Sequence, residues 1–171
     1  MKNTQAISLT SKYQIAETVI ILGATMLLPL LVHLLPAIGE NPSGAVLLPV
    51  FIAPMAATFF YKKQVAIFAG IFAPLFNYLL LGSPAPQMVV MLSIEIVAFV
   101  LILGWLKNKA SVRYVAAPLA YLGAVVATLF ALAVSGVISN PVSFGLNAVV
   151  TAVPGIILLA IGNLVLLKFR K

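Results

Sequence analysis

Six apolar runs, each close to the length of a membrane-crossing helix, fill this chain of 171 residues almost end to end. A bilayer core about 30 Å thick takes roughly 20 helical residues at about 1.5 Å of rise each. On that measure the runs predict spans at 14–35, 45–61, 64–82, 87–106, 114–135 and 146–167, all within one membrane domain covering 1–171. The predicted fold class is therefore an all-α integral membrane protein of six transmembrane helices. Composition agrees, since 63% of the residues are hydrophobic and 8% are charged, against about 25% charged in soluble domains.

The second run is the shortest and carries Pro49 and Pro54, so it is expected to kink or to begin as an irregular segment packed inside protein. The first run has no small-residue cleavage site behind it and reads as a retained span. The connection YKKQ makes the second and third spans antiparallel neighbours. Small residues recur at helical spacing in Ala66, Gly70 and Pro74, and again in Gly123, Ala127, Ala131 and Ser135. Such stripes serve either close internal packing or the docking of another membrane subunit.

Sidedness comes from the basic residues. Lys2 and Lys12 precede the first span, Lys62 and Lys63 follow the second, Lys107, Lys109 and Arg113 follow the fourth, and Lys168, Arg170 and Lys171 close the chain. All ten Lys and Arg residues fall on one side, and the opposite loops have none. The positive-inside rule then places both termini in the cytoplasm. In this setting a net charge of +7 sets orientation and does not imply a nucleic-acid partner. With no cysteine in the chain, disulfides, thiolate metal sites and a cysteine nucleophile are excluded.

Once sides are assigned, the polar residues gather toward the outer end. His33 ends the first span, Asn77 lies about a turn from the outer end of the third, Gln87 opens the fourth, and Asn147 opens the sixth; Glu40 and Asn41 sit in the first outer loop. Glu95 lies two turns into the fourth span, roughly 12 Å deep by helix rise, with apolar neighbours on both sides. An ionisable group at that depth costs about 2.5 to 3.5 kcal/mol on insertion scales, so it faces protein or water and has a job. Three jobs are open to it: contact with a ligand, a structural hydrogen bond to a neighbouring helix, or an ion relay. Phe51, Phe76, Tyr78 and Phe144 lie at a similar level and could stack on a planar ligand or anchor at the interface. His33 reads as an anchor or helix-end cap before a metal ligand, and neither a metal site nor a cofactor is predicted. A channel lines a path through both leaflets, whereas this distribution describes an outward-facing cup.

Energy-converting and hydrolytic motifs are missing. GENPSGAV at 39–46 has two glycines at phosphate-loop spacing, but Ala45 and Val46 stand where Lys and Ser or Thr are required. Neither G-x-S-x-G nor HExxH occurs, and the halves of the chain show no inverted repeat of the kind secondary transporters carry. The chain reads as a non-enzyme, and concentrative uptake would need a partner to supply power.

The stretch LLPVFIAPMAATFFYKKQVAIFAGIFAPLFNYLLLGSPAPQMVVMLSIEIVAF, 47–99, resembles the middle of the substrate-binding S components of energy-coupling factor (ECF) transporters. Leu48, Pro49 and Pro54, then Gly70 and Pro74, the corner Gly82, Ser83 and Pro84, and Glu95 fill that family's pattern in order. The resemblance implies capture of a vitamin-like micronutrient at the outer face of a bacterial or archaeal cytoplasmic membrane. It further implies docking on a transmembrane coupling subunit driven by two cytoplasmic ATPase subunits. The expected substrate-binding residues are Glu95, Asn77, Glu40, Asn41, Gln87, Asn147, His33, Phe51 and Tyr78. The expected docking face on the first span is Ala16, Ile20, Gly23 and Ala24, where Ile20 replaces the family's usual alanine. A self-contained small permease or channel, or a structural membrane protein without ligand, is the alternative.

Overall fold

A computed structural model describes residues 2–82, 84–136 and 140–169; Ser83 of the GSP corner, Arg170 and Lys171 lie outside the described residues. α1 (Lys2–His33) is one continuous helix. It starts well before the apolar run and stops at His33, two residues short of the predicted end. Ile21 and Thr25 turn toward the bundle, while Ile15, Val19, Ile20, Leu27 and Leu31 are exposed.

The predicted span at 45–61 is not one helix. α2 (Ser43–Leu47) ends at Leu48, whose backbone is left-handed (φ 53°, ψ 41°) and whose N–H closes on Gly44 O. Pro49 opens a 3-10 turn through Phe51, and α3 (Ile52–Phe60) follows. The physical reason is local: proline lacks the N–H that helix continuation needs and is tolerated where a new helix begins. A left-handed conformation costs a non-glycine residue about 1 to 2 kcal/mol, so tertiary contacts must hold it. Leu48 is buried, and a Cβ built on Gly155 would come 2.6 Å from its Cγ. The irregular backbone is thus packed inside protein, as lipid requires.

The broken segment runs back along α1. At one end Ser43 Oγ donates to Val32 O (2.7 Å) near the end of α1. At the other, Lys62 Nζ donates to Gln14 Oε1 (3.3 Å).

α4 (Lys63–Leu81) ends on Gly82 in the left-handed region, φ 70°. α5 (Pro86–Leu106) and α6 (Ala116–Val134) are unbroken and are joined through a 3-10 turn at Arg113–Val115. The predicted span at 146–167 is two helices, α7 (Pro141–Thr151) and α8 (Val153–Phe169), bent by 61°. Pro154 sits in the first turn of α8, where its missing N–H and its ring end α7 at Thr151. Among the described residues, four helices are long and apolar enough to cross a membrane, five if the bent pair makes one span. The class is all-helical and multi-pass in character; the second predicted span is irregular at its start, as Pro49 and Pro54 led one to expect, and the sixth is bent where a straight helix is predicted.

α1 packs on α4, α4 on α5, α5 on α6, and α6 on α8; the α2–α3 segment closes the gap between α8 and α1. The Ala66, Gly70 and Pro74 stripe is buried, and a Cβ on Gly70 would meet Ile96 Cγ2 at 2.8 Å. Gly123 meets Ile102 Cδ1 at the same distance. The first stripe packs helix against helix; in the second Gly123 does so, while Ala127 and Ala131 are half-buried and Ser135 is exposed. At one end of the bundle exposed Trp105 and Tyr114 carry Lys109 and Arg113 over their rings, at 5.1 and 4.8 Å from the centroids. This is the aromatic and basic make-up of a membrane interface.

Candidate functional site

At the other end, where α1 stops and α5 and α7 begin, lies a cavity of about 330 Å³. Its floor comes from the broken segment and from α5 and α6: Leu48, Phe51, Glu95, Tyr121 and Thr128 all line it and all are buried. Its mouth is formed by Asn41 and Ala45 before and within α2, and by Phe144 and Asn147 on α7, all exposed. Residues of the broken α2–α3 segment and of α7, on the N-terminal side of its bend, contribute to this lining.

Glu95 is 7% exposed and has neither a hydrogen bond nor an ion pair with any described residue. Tyr121 lines the same cavity. Thr128 Oγ1 is fully buried and also has no hydrogen-bond partner. Helical serines and threonines often satisfy themselves on the carbonyl one turn back, as Thr25 does on Ile21 O and Thr58 on Pro54 O (2.7 Å each). Thr128 departs from that habit. Two polar groups thus face one apolar, aromatic cavity without a protein partner, which is the make-up of a small-molecule site: a largely apolar wall with a few placed polar groups.

Of the residues expected at the site, the cavity brings together Glu95, Asn41, Asn147 and Phe51. His33, Glu40, Asn77, Gln87 and Tyr78 are not on its lining. His33 donates from its ring to Pro29 O at 2.6 Å and covers Gly44, where a Cβ would meet the ring at 2.3 Å; it finishes α1 and braces α2. Glu40 is exposed in the loop that pairs Ile38 with Asn41, and Gln87 is exposed in the first turn of α5. Asn77 is buried in α4 with Oδ1 unpartnered, and Tyr78 is half-buried beside it.

Tyr121, Thr128 and Met91 also line the cavity, as does Leu48, which the sequence marks only as part of the Leu48 and Pro49 entry to the second run. Depth along the sequence places Thr128 toward the cytoplasmic half with Thr58, Gln64 and Asn163, whereas the structure puts it on the cavity lining with Glu95. Of the expected docking residues, Ala16 and Ile20 are exposed, Gly23 and Ala24 are half-buried, and nothing approaches within 4 Å of a Cβ built on Gly23. No group of three or more His, Cys, Asp or Glu capable of holding a metal occurs among the described residues.

Length, hydropathy and helix packing define a multi-pass helical membrane protein with a polar-floored cavity at one end. No protein family, curated protein or solved structure matches the chain.

Proposed function

We propose that the protein is a membrane receptor for a small solute, acting as the substrate-specificity subunit of an ATP-driven uptake system of the ECF kind and not as an enzyme. In this reading the chain crosses the bilayer six times, two of the crossings being the broken α2–α3 segment and the bent α7–α8 pair. Both termini are cytoplasmic, with the basic and aromatic belt at the inner interface and the cavity open to the outside. The solute is vitamin-like in size. The partners are a transmembrane coupling subunit and two ATPase subunits, since no nucleotide-binding loop is present in this chain.

The observation that carries the reading is the buried, unpartnered Glu95 carboxylate on the floor of a cavity that lies at one end of the bundle. Polar groups concentrated at a single end suit capture; a pore would line both halves. The small-residue face of α1, with Ala16 exposed and open space over half-buried Gly23, leaves room for a neighbouring helix. Native mass spectrometry of the chain purified from cells grown in rich medium tests the proposal, with a stoichiometric small molecule as the expected result. Solute accumulation or flux in proteoliposomes containing this chain alone would overturn it in favour of a permease.

A further inference from the structure

We infer that the solute is a compact organic cation: one or two flat apolar rings bearing an amidine-like, amine or protonated ring-nitrogen group. The inference rests on the receptor reading and adds the chemical class of the solute. A carboxylate on the floor of a largely apolar cavity is completed by a counter-charge or several donors, and no described residue supplies either to Glu95. No Lys, Arg or His lines the cavity. Of the described basic side chains, Lys62, Lys63, Lys107, Lys109 and Arg113 belong to the connections at the far end of the bundle and Lys12 and Lys168 to α1 and α8, while His33, which packs against Gly44, turns its ring nitrogen to Pro29 O and is not on the lining. An anionic solute would therefore meet Glu95 with nothing to offset the repulsion, whereas a cationic group completes the pair.

Thr128 supports the same assignment from α6. Its hydroxyl oxygen, unpartnered and fully buried, is a second acceptor for a multi-donor group seated on Glu95. The walls define the rest of the molecule. Phe51, Tyr121 and Phe144 present ring surface to the cavity, and aromatic faces attract cations as well as flat apolar bodies. A cavity of about 330 Å³ is at the lower end of small-molecule sites, about 300 to 1,000 Å³, which suits one or two rings and excludes a corrinoid or a dinucleotide.

The test uses the full chain in detergent and three size-matched probes at millimolar concentration, benzamidinium, benzamide and benzoate, read by thermal shift and isothermal titration, with sodium chloride as the ionic control. Benzamidinium is expected to bind, benzamide at least about tenfold more weakly, and benzoate not at all; Glu95→Gln should weaken benzamidinium by about tenfold or more. Thr128→Val should weaken it by a smaller factor and provides the same reading if the Glu95 variant does not fold. Benzoate binding as well as benzamidinium, a sodium shift equal to that of benzamidinium, or benzamidinium binding unchanged in both variants would overturn the cation assignment. Recovery of an anionic or uncharged solute by native mass spectrometry would overturn it while leaving the receptor reading intact. If no solute is recovered and no probe binds, both fall.

Discussion

Phe51 stands edge-on to Tyr121, with ring centroids 5.4 Å apart and planes at 84°. The same Phe51 ring meets Phe99 edge-on at 5.1 Å. One side chain from the 3-10 turn of a broken span is thereby locked between α5 and α6, and its ring is also part of the cavity floor. The core and the site share atoms at this point, so packing and binding are coupled here.

Replacing Phe51 with Ala should cost about 3 to 5 kcal/mol, the usual range for emptying a buried phenylalanine site. Phe51→Leu should cost less, because most of the volume is kept. Thermal unfolding in detergent measures both, and equal loss in the two variants would contradict the role of the aromatic cluster.

Glu95→Gln separates binding from folding. The carboxylate has no protein partner to lose, so the solute-free variant should unfold at or above the temperature of the parent chain. Affinity for the solute should fall by the value of a charge-assisted hydrogen bond, about 1.5 to 3 kcal/mol, or one to two decades in Kd. Titration calorimetry with the solute identified by mass spectrometry gives the measurement.

Gly155→Ala should destabilise the fold by about 1 to 3 kcal/mol, the range for forcing extra volume into a packed site. The new Cβ would stand 2.7 Å from Val46 O and 2.9 Å from Leu47 C. These are backbone atoms and cannot swing aside as a side-chain tip can. A melting temperature equal to that of the parent would show that α8 and α2 slide apart freely.

Asn163 ties α8 to the turn before α6, with Nδ2 donating to Arg113 O and Tyr114 O at 2.9 Å each. Asn163→Leu strands two carbonyls and should cost about 1 to 3 kcal/mol. Solute affinity should be unchanged, since Asn163 is not on the cavity lining. Comparing melting temperature with Kd in the same preparation checks both halves.

His33→Ala should lower stability by about 1 kcal/mol through loss of its bond to Pro29 O. Solute binding should stay within about twofold of the parent, and zinc should affect neither variant, because the ring closes a helix end. Tight zinc binding that disappears in the variant would reverse this assignment.

Much of the architecture is legible in the sequence because hydropathy sums along the chain. The positions of α4, α5 and α6 follow from runs of apolar residues, with ends within about two residues of the predicted ones, as helix boundaries usually allow. Pro49 announces a break that the structure places at Leu48. Pro154 marks the other break in the same way, at a place where hydropathy alone predicts one continuous span. Glu95 stands out by cost alone. Asn77 and Gln87 look equally promising at the level of depth, yet Asn77 is buried within α4 and Gln87 is exposed at the helix start.

The amino-acid sequence by itself determined that this chain is helical and apolar enough for a bilayer and where its apolar runs and basic clusters fall, because each of these is a property of segments taken one at a time. Only the tertiary structure decided which side chains meet. Whether Thr128 and Tyr121 share a cavity with Glu95 depends on how α5 and α6 are rotated about their axes and on how the α2–α3 segment and α7 pack beside them. Rotation and packing are set by contacts such as Gly70 on Ile96 and Gly155 on Leu48, between residues far apart along the chain, and no local pattern encodes them.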